Sequence, residues 1–325
     1  MIRSRALLMG IVFVMALSAG PVIASTMIGG QEAGIQQSPD TQVVVEDVSG
    51  LNLFPMLCGP IALLIVLGFR FHHLDDRIGP VLGLPGRACA VGFFSMLVGS
   101  SLAVMFLGFF MPAPGDSDSG VRLADLAMML VASYVGQAIV IGLLMAWASG
   151  HRLPGDELRA QLGPGMAITW AIRGLVLGWP MVITVSWIAS VLQEVFLSIQ
   201  PQEIAHSALQ SIAEDPGTIW KYLVIVIVVL LTPIFEEFMY RGLLQQGLAG
   251  AGIGRWPAII VASIIFALMH LPALSMESAL SAVLTLFALG LVLGFLYERT
   301  GRLLAPIIMH GLFNLGNILL IDSPV

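Results

Sequence analysis

The chain has 325 residues, of which 58% are hydrophobic and 10% are charged, and its formal net charge is −6. A soluble domain carries closer to a quarter charged residues, so this composition cannot cover a surface that faces water. The fourteen lysine and arginine residues form no basic stripe, which argues against nucleic acid as a partner. The composition predicts a polytopic membrane protein embedded in a lipid bilayer.

The N-terminus has the layout of a secretory signal peptide. Residues 1–24 begin with basic Arg3 and Arg5, continue with an apolar core and end in Ala24, after which cleavage is expected. The alternative is an uncleaved first transmembrane helix. Both interpretations place residues 25–50, which are polar and acidic, outside the cytoplasm as a flexible segment.

Apolar segments of about the length that spans a bilayer follow along the rest of the chain. We therefore expect an all-α membrane bundle of about eight transmembrane helices after the signal-like segment. Residues 51–200 supply the first four helices, whose role is unassigned, and residues 201–220 form an external interfacial segment. The predicted spans lie at about 51–70, 88–112, 123–148, 165–198, 221–247, 256–275, 279–298 and 303–321.

The distribution of basic residues tests this topology. With residues 25–50 outside, the predicted inner loops carry eight arginines and the outer loops carry two basic residues, which obeys the positive-inside rule. The signal-like N-terminus adds an expectation of a bacterial inner (plasma) membrane. The inner residues are Arg70, Arg77, Arg87, Arg152, Arg159, Arg255, Arg299 and Arg302, and the outer ones are Arg122 and Lys221.

The stretch "PIFEEFMYRG" places Glu236, Glu237 and Arg241 inside an apolar segment. Each such charge costs roughly 2.5–3.5 kcal/mol near the bilayer centre, so these residues need partners or a function. Glu237 lies four residues before Arg241, which is the favourable order for an ion pair along a helix. Neighbouring helical residues point about 100° apart, which leaves Glu236 facing elsewhere as the candidate working carboxylate.

Two further patterns follow on separate predicted helices. "FALMH" places Phe266 and His270 at i, i+4 spacing, and "HGLFN" does the same for His310 and Asn314. A carboxylate shielded from bulk water is a stronger base, an imidazole can share the water, and Asn or His can donate to a developing oxyanion. This set favours amide hydrolysis, although either His could instead bond a backbone carbonyl and Asn314 could join helices.

In this order and spacing the three patterns resemble the CAAX-protease and bacteriocin-processing (CPBP, or Abi) family of intramembrane peptidases. Its signature is EExxxR, then FxxxH, then HxxxN, each on its own helix. The resemblance covers roughly residues 221–321, and residues 25–200 carry no motif of this kind. It implies an all-α membrane core with a polar cavity, and a peptide or membrane-protein substrate.

The resemblance also implies roles for individual residues. The residue matching Glu236 is the general base, His270 positions the water, and His310 and Asn314 stabilise the oxyanion. Glu237, Arg241 and Phe266 match supporting positions. Glu236, His270 and His310 could alternatively bind zinc, which takes three protein ligands and a water. The HExxH helix of many zinc peptidases is absent, which favours a metal-free mechanism.

Two other classes of function remain open at this point. A proton-coupled transporter could use buried Glu and His as a relay, although the chain shows no inverted repeat. A catalytically silent scaffold could keep the fold and its ion pair. A prenylated substrate does not follow from the resemblance. Helix lengths raise one further problem, because a count from the predicted faces puts His270 nearer the outer half than Glu236 and His310.

Overall fold

The structure is a computed structural model that describes residues 53–76, 78–79, 84–110, 123–149, 161–200 and 206–321. The predicted signal segment at 1–24 and the predicted external segment at 25–50 lie outside the described residues. So do Arg77, Arg122, Arg152 and Arg159 of the charge count.

The described residues form an all-α bundle, as the sequence predicts, and no β-strand occurs among them. Seven helices are long and apolar enough to cross a membrane, and α1, in the position of the first predicted span, is shorter. The helices are α1 Leu53–Gly68, α2 Gly86–Gly108, α3 Leu123–Ser149, α4 Pro164–Leu197, α5 Ser207–Glu214, α6 Ile219–Ile253, α7 Arg255–Met269, α8 Ala279–Thr300 and α9 Leu304–Ile321.

The outward faces of the helices are apolar, which is the reverse of a soluble bundle. On α7, Trp256, Ile260, Ile264 and Leu268 follow one another at i, i+4 spacing, and each is between 38% and 42% exposed. The opposite side of α7 buries Ile259 and Phe266 completely. The exposed stripe is therefore the side of α7 that faces lipid.

Small residues allow the helices to pack closely in the interior. A Cβ atom added to Gly136 of α3 would overlap the Gly99 carbonyl oxygen of α2, so this crossing requires glycine. One buried cluster joins α2, α6 and α7 around Phe93, Leu243 and Phe266. A second joins α4, α8 and α9. Residues 218–321, which contain the three motifs, are thus held on two sides by the earlier helices.

Loops that the predicted topology assigns to one side of the membrane meet at one end of the bundle. At the predicted inner end, Arg255 at the start of α7 pairs with Glu298 of α8 at 2.7 Å. The same guanidinium donates to the carbonyl oxygens of Asp75 and Ile78 in the loop between α1 and α2. At the other end, a β-bridge joins His206 to Leu274.

Helix α6 extends six residues beyond its predicted end at 247 and turns sharply into α7. The turn uses Gly252 and Gly254, whose φ angles of 87° and 89° suit glycine. Glu236 lies eighteen residues before Gly254 and His270 sixteen residues after it. This hairpin brings the two side chains to the same level, which removes the discrepancy in depth that the predicted helix ends created.

Candidate active site

Helix α6 is irregular on both sides of its acidic pair. Pro233 has no N–H to donate back to the carbonyl of Val229, and a π-helical turn, Ile227–Leu231, ends two residues before it. A second π-helical stretch, Phe238–Gln245, follows Glu237. The irregularity frees carbonyl groups in the bundle interior, where each must find another partner.

Helix α9 docks against these freed carbonyls through the third motif. A Cβ atom on Gly311 would lie 2.6 Å from the carbonyl oxygen of Val229, so only glycine permits this approach. One turn later, the Asn314 amide donates from Nδ2 to the carbonyl oxygen of Val228 at 2.9 Å. These two contacts fix the height and rotation of α9 and place His310 beside the acidic pair.

The supporting ion pair of α6 is completely buried and has a third member. Arg241 Nε lies 3.1 Å from Glu237 Oε2, and neither side chain exceeds 1% exposure. The other oxygen, Glu237 Oε1, accepts from His310 Nδ1 at 2.8 Å. Arg241 also donates to the Gly290 carbonyl oxygen of α8, and its guanidinium lies 4.7 Å from the Phe266 ring centre. Glu237 therefore orients His310 as well as pairing with Arg241.

His270 ends α7 and has its ring fixed by the preceding turn. Its Nδ1 lies 2.7 Å from the carbonyl oxygen of Phe266, which can only accept, so Nδ1 carries a proton. The Phe266 ring centre is 4.7 Å from that of His270 and 6.0 Å from that of His310. Phe266 thus packs against both histidine rings.

The carboxylate of Glu236 lies between the two histidines. Its Oε1 is 3.9 Å from His270 Nε2, and its Oε2 is 3.9 Å from His310 Nε2. Because both Nδ1 atoms are used as donors, the Nε2 atom of each ring is an acceptor whenever the ring carries a single proton. Acceptors that face one another at this distance cannot bond directly, but a water molecule can donate one hydrogen bond to the carboxylate and its other to one of the two Nε2 atoms.

The three side chains differ in their exposure. The side chain of Glu236 is 20% exposed and that of His270 is 17% exposed, whereas His310 is 5% exposed. Glu236 Oε2 is itself buried and makes no hydrogen bond within the described chain. The Glu236 side chain is therefore partly exposed, while its Oε2 atom is enclosed by protein without a hydrogen-bond partner.

Tyr134 of α3 packs against α6 next to the acidic pair, although it belongs to no recognisable motif. Tyr134 stacks on Phe235 with ring centres 4.8 Å apart, and its hydroxyl bonds the Thr232 hydroxyl at 2.6 Å. On the other side of α6, Tyr240 packs edge-to-face on Phe266. Sequence spacing could not identify Tyr134, because a single tyrosine in an apolar helix is an ordinary packing residue.

A zinc centre finds no ready-made ligand set in the part of the chain that the structure describes. There, no three His, Cys, Asp or Glu side chains are grouped as ligands of one ion. His310 Nδ1 and Glu237 are already bonded to each other. The groups left to turn towards a metal are therefore the Nε2 atoms of His270 and His310 and the carboxylate of Glu236.

Comparison with known protein families gives a match over the same region. Residues 218–316 match the family model described as type II CAAX prenyl endopeptidase Rce1-like. This confirms the resemblance to the CAAX-protease family that the three motifs indicate. The match extends from the start of α6 into α9 and includes every predicted site residue, but covers under a third of the chain. No curated protein and no solved structure has detectable similarity to the chain.

The CAAX-protease match supports, at the level of the family, a membrane-embedded protease with a peptide substrate. Within the matched region, the structure places His270 Nε2 and His310 Nε2 each 3.9 Å from a carboxylate oxygen of Glu236. Asn314 is bonded to the α6 backbone and lies one helical turn beyond His310. The contact between Glu237 and His310 was not predicted from the sequence, because spacing within a motif does not reveal which faces of separate helices meet.

Proposed function

We propose that the protein is an intramembrane endopeptidase in which Glu236 activates a water molecule for attack on a peptide carbonyl. The observation that carries this proposal is the position of the Glu236 carboxylate, 3.9 Å from each of the His270 and His310 Nε2 atoms. A water in that gap would donate one hydrogen bond to the carboxylate and another to an imidazole. Its oxygen lone pair would then be free to attack a substrate carbonyl.

In the proposed reaction, Glu236 removes a proton from the water as the oxygen attacks the carbonyl carbon. The carbonyl oxygen becomes an oxyanion, and the proton held by Glu236 then passes to the leaving amine. His270 positions the water. His310 donates to the oxyanion in its doubly protonated form, whose Nε2 proton is taken up from solvent before the attack, so that the proton removed by Glu236 is the one that reaches the leaving amine. Asn314 uses one N–H for Val228, so its second N–H remains as a further donor.

The test is cleavage of a quenched peptide library by the detergent-purified full chain. We expect Glu236→Gln to lower the rate about 100- to 10,000-fold, the usual contribution of a general base. Glu214→Gln is the matched control, because this glutamate is exposed at the end of the external helix α5. It should leave the rate unchanged.

A zinc chelator in the same assay separates two versions of the reaction. Activity that survives chelation supports the glutamate mechanism without metal, whereas activity that is lost and returns with zinc supports a metal held by Glu236, His270 and His310. A wild-type protein that cleaves neither this library nor a prenylated peptide would overturn the proposal. Uptake driven by an ion gradient would then support the transporter alternative, and its absence the silent scaffold.

A further inference from the structure

We infer that His206, which lies outside all three motifs, is a positioning residue of the active site and holds the His270 ring with Nε2 towards Glu236. The inference rests on the proposed function of Glu236 and His270. His206 belongs to the segment between α4 and α6, which the sequence assigns only an interfacial position. Nothing in its spacing connects it with the chemistry.

Backbone contacts fix His206 at the outer end of α7. A β-bridge joins it to Leu274, four residues after His270, and ties the segment before α5 to the turn that follows α7. The His206 side chain also caps α5, because its Nδ1 accepts from the Ala208 N–H at 3.2 Å. The imidazole is therefore held from two directions.

The ring of His206 lies next to the ring of His270. Their centres are 6.3 Å apart with an interplanar angle of 62°, an edge-to-face arrangement. The bond from His270 Nδ1 to the Phe266 carbonyl and the contact with the Phe266 ring both arise within α7 itself. His206 adds a contact from a different segment of the chain. It restricts the remaining rotation of the His270 ring, on which the direction of Nε2 depends.

The electrostatic state of His206 suits this role. Burial, together with the nearby charge of His270, lowers the pKa of His206 to about 4. At neutral pH the ring is therefore uncharged and does not repel a proton on His270. Because Nδ1 is the acceptor for the Ala208 N–H, the single ring proton is on Nε2.

Two substitutions separate the ring contact from the helix cap. His206→Asn keeps an oxygen that can cap α5 but removes the ring, whereas His206→Phe keeps an aromatic ring but removes the cap. If His206 positions His270, His206→Asn should have a kcat about 10-fold below that of the wild type, with KM changed less than twofold. His206→Phe should keep most of the wild-type kcat. Wild-type kcat in the Asn variant and a loss confined to Phe would overturn the inference.

A second measurement does not depend on peptidase activity. NMR of the detergent-purified chain with labelled histidine, assigned through His206→Asn and His270→Gln, reports the ring environment of each histidine. We expect the His270 signals to shift in His206→Asn and to remain near wild type in His206→Phe. Unchanged His270 signals in both variants would overturn the inference. An inactive wild type with this NMR pattern would instead remove the proposed peptidase function and leave the ring contact intact.

Discussion

Glu237 differs from its neighbour Glu236 in having all its partners within the protein. One oxygen faces Arg241 and the other accepts from His310, and the side chain has no exposed surface. A buried ion pair contributes little net stability when both members are present, but removal of one leaves the other charged without a counter-charge. The stability of the core and the orientation of His310 therefore depend on the same carboxylate.

We expect Glu237→Gln to lower the free energy of unfolding by about 3–5 kcal/mol, because Arg241 stays charged and buried without its partner. The double variant Glu237→Gln with Arg241→Met should recover part of this stability, since neither charge remains. Peptidase activity should be low in both variants because His310 has lost its carboxylate. Thermal unfolding in detergent measures the first effect and peptide cleavage the second.

The comparison between the single and double variants decides this prediction. If Arg241→Met added to Glu237→Gln destabilised the protein further, the two side chains would not act as a compensating pair. Activity retained in Glu237→Gln would show that His310 does not need the carboxylate to hold its orientation.

His206 should make stability depend on pH. Its folded-state pKa of about 4 lies below the ordinary value of 6.5, so the folded chain binds fewer protons than the unfolded chain between these values. Stability is therefore lost as the pH falls through this window. Between pH 7 and pH 5 the loss from this residue should be about 2 kcal/mol.

The measurement is the difference in melting temperature between pH 7 and pH 5. The wild type should lose more than His206→Phe, in which no group titrates at this position. Since both proteins share the other histidines, their difference isolates His206. Equal losses in the two proteins would contradict the assigned neutral state of the ring.

At the scale of the helices, the position of the third motif depends on how closely α9 approaches α6. Gly311→Ala would place a methyl group 2.6 Å from the carbonyl oxygen of Val229, so α9 must move outwards. We expect about a 100-fold loss of peptide cleavage, since a displacement of about 1 Å at the reacting groups has effects of this size. Gly142→Ala on α3 is the control, because its added Cβ meets no atom within 4 Å.

The Gly311→Ala substitution should also break the hydrogen bond that Asn314 makes with α6. Because the α9 shift would break the bond to the Val228 carbonyl, Asn314→Ala and Gly311→Ala should be less than additive in kcat. Independent, additive effects would show that the two residues do not act through one docking contact.

Sequence patterns predicted the helices and the motif residues, but not how the helices meet. Composition gave the membrane bundle, and i, i+4 spacing gave the pair Glu237 and Arg241, because both depend on local periodicity. The link from Glu237 to His310 and the place of His206 beside His270 depend on tertiary packing between distant segments. The continuation of α6 to Ile253 was missed because glycines in 247–254 look like a helix end.

At the scale of the whole molecule, the predicted topology places the loop between α1 and α2 inside and the loop between α7 and α8 outside. Reagents on one side of the membrane should therefore reach only one of these two loops. Asp76 and Met276 lie at the predicted inner and outer ends, and their side chains are 100% and 88% exposed. After replacement of the two native cysteines, Met276→Cys should react in intact cells with a membrane-impermeant maleimide. Asp76→Cys should react only after the cells are permeabilised. The opposite pattern would invert the topology derived from the arginines.

Glu236 lies at the midpoint of α6, with seventeen residues before it and seventeen after it, or about 25 Å of helix on each side. Under the proposed function, a substrate segment that crosses the membrane has its own carbonyl groups hydrogen-bonded within a helix, since lipid offers no other partner. The segment must unwind locally before water can attack it. Substrates with glycine or proline close to the cleaved bond should therefore be cut faster than uniformly leucine-rich ones, because these residues lower the cost of unwinding.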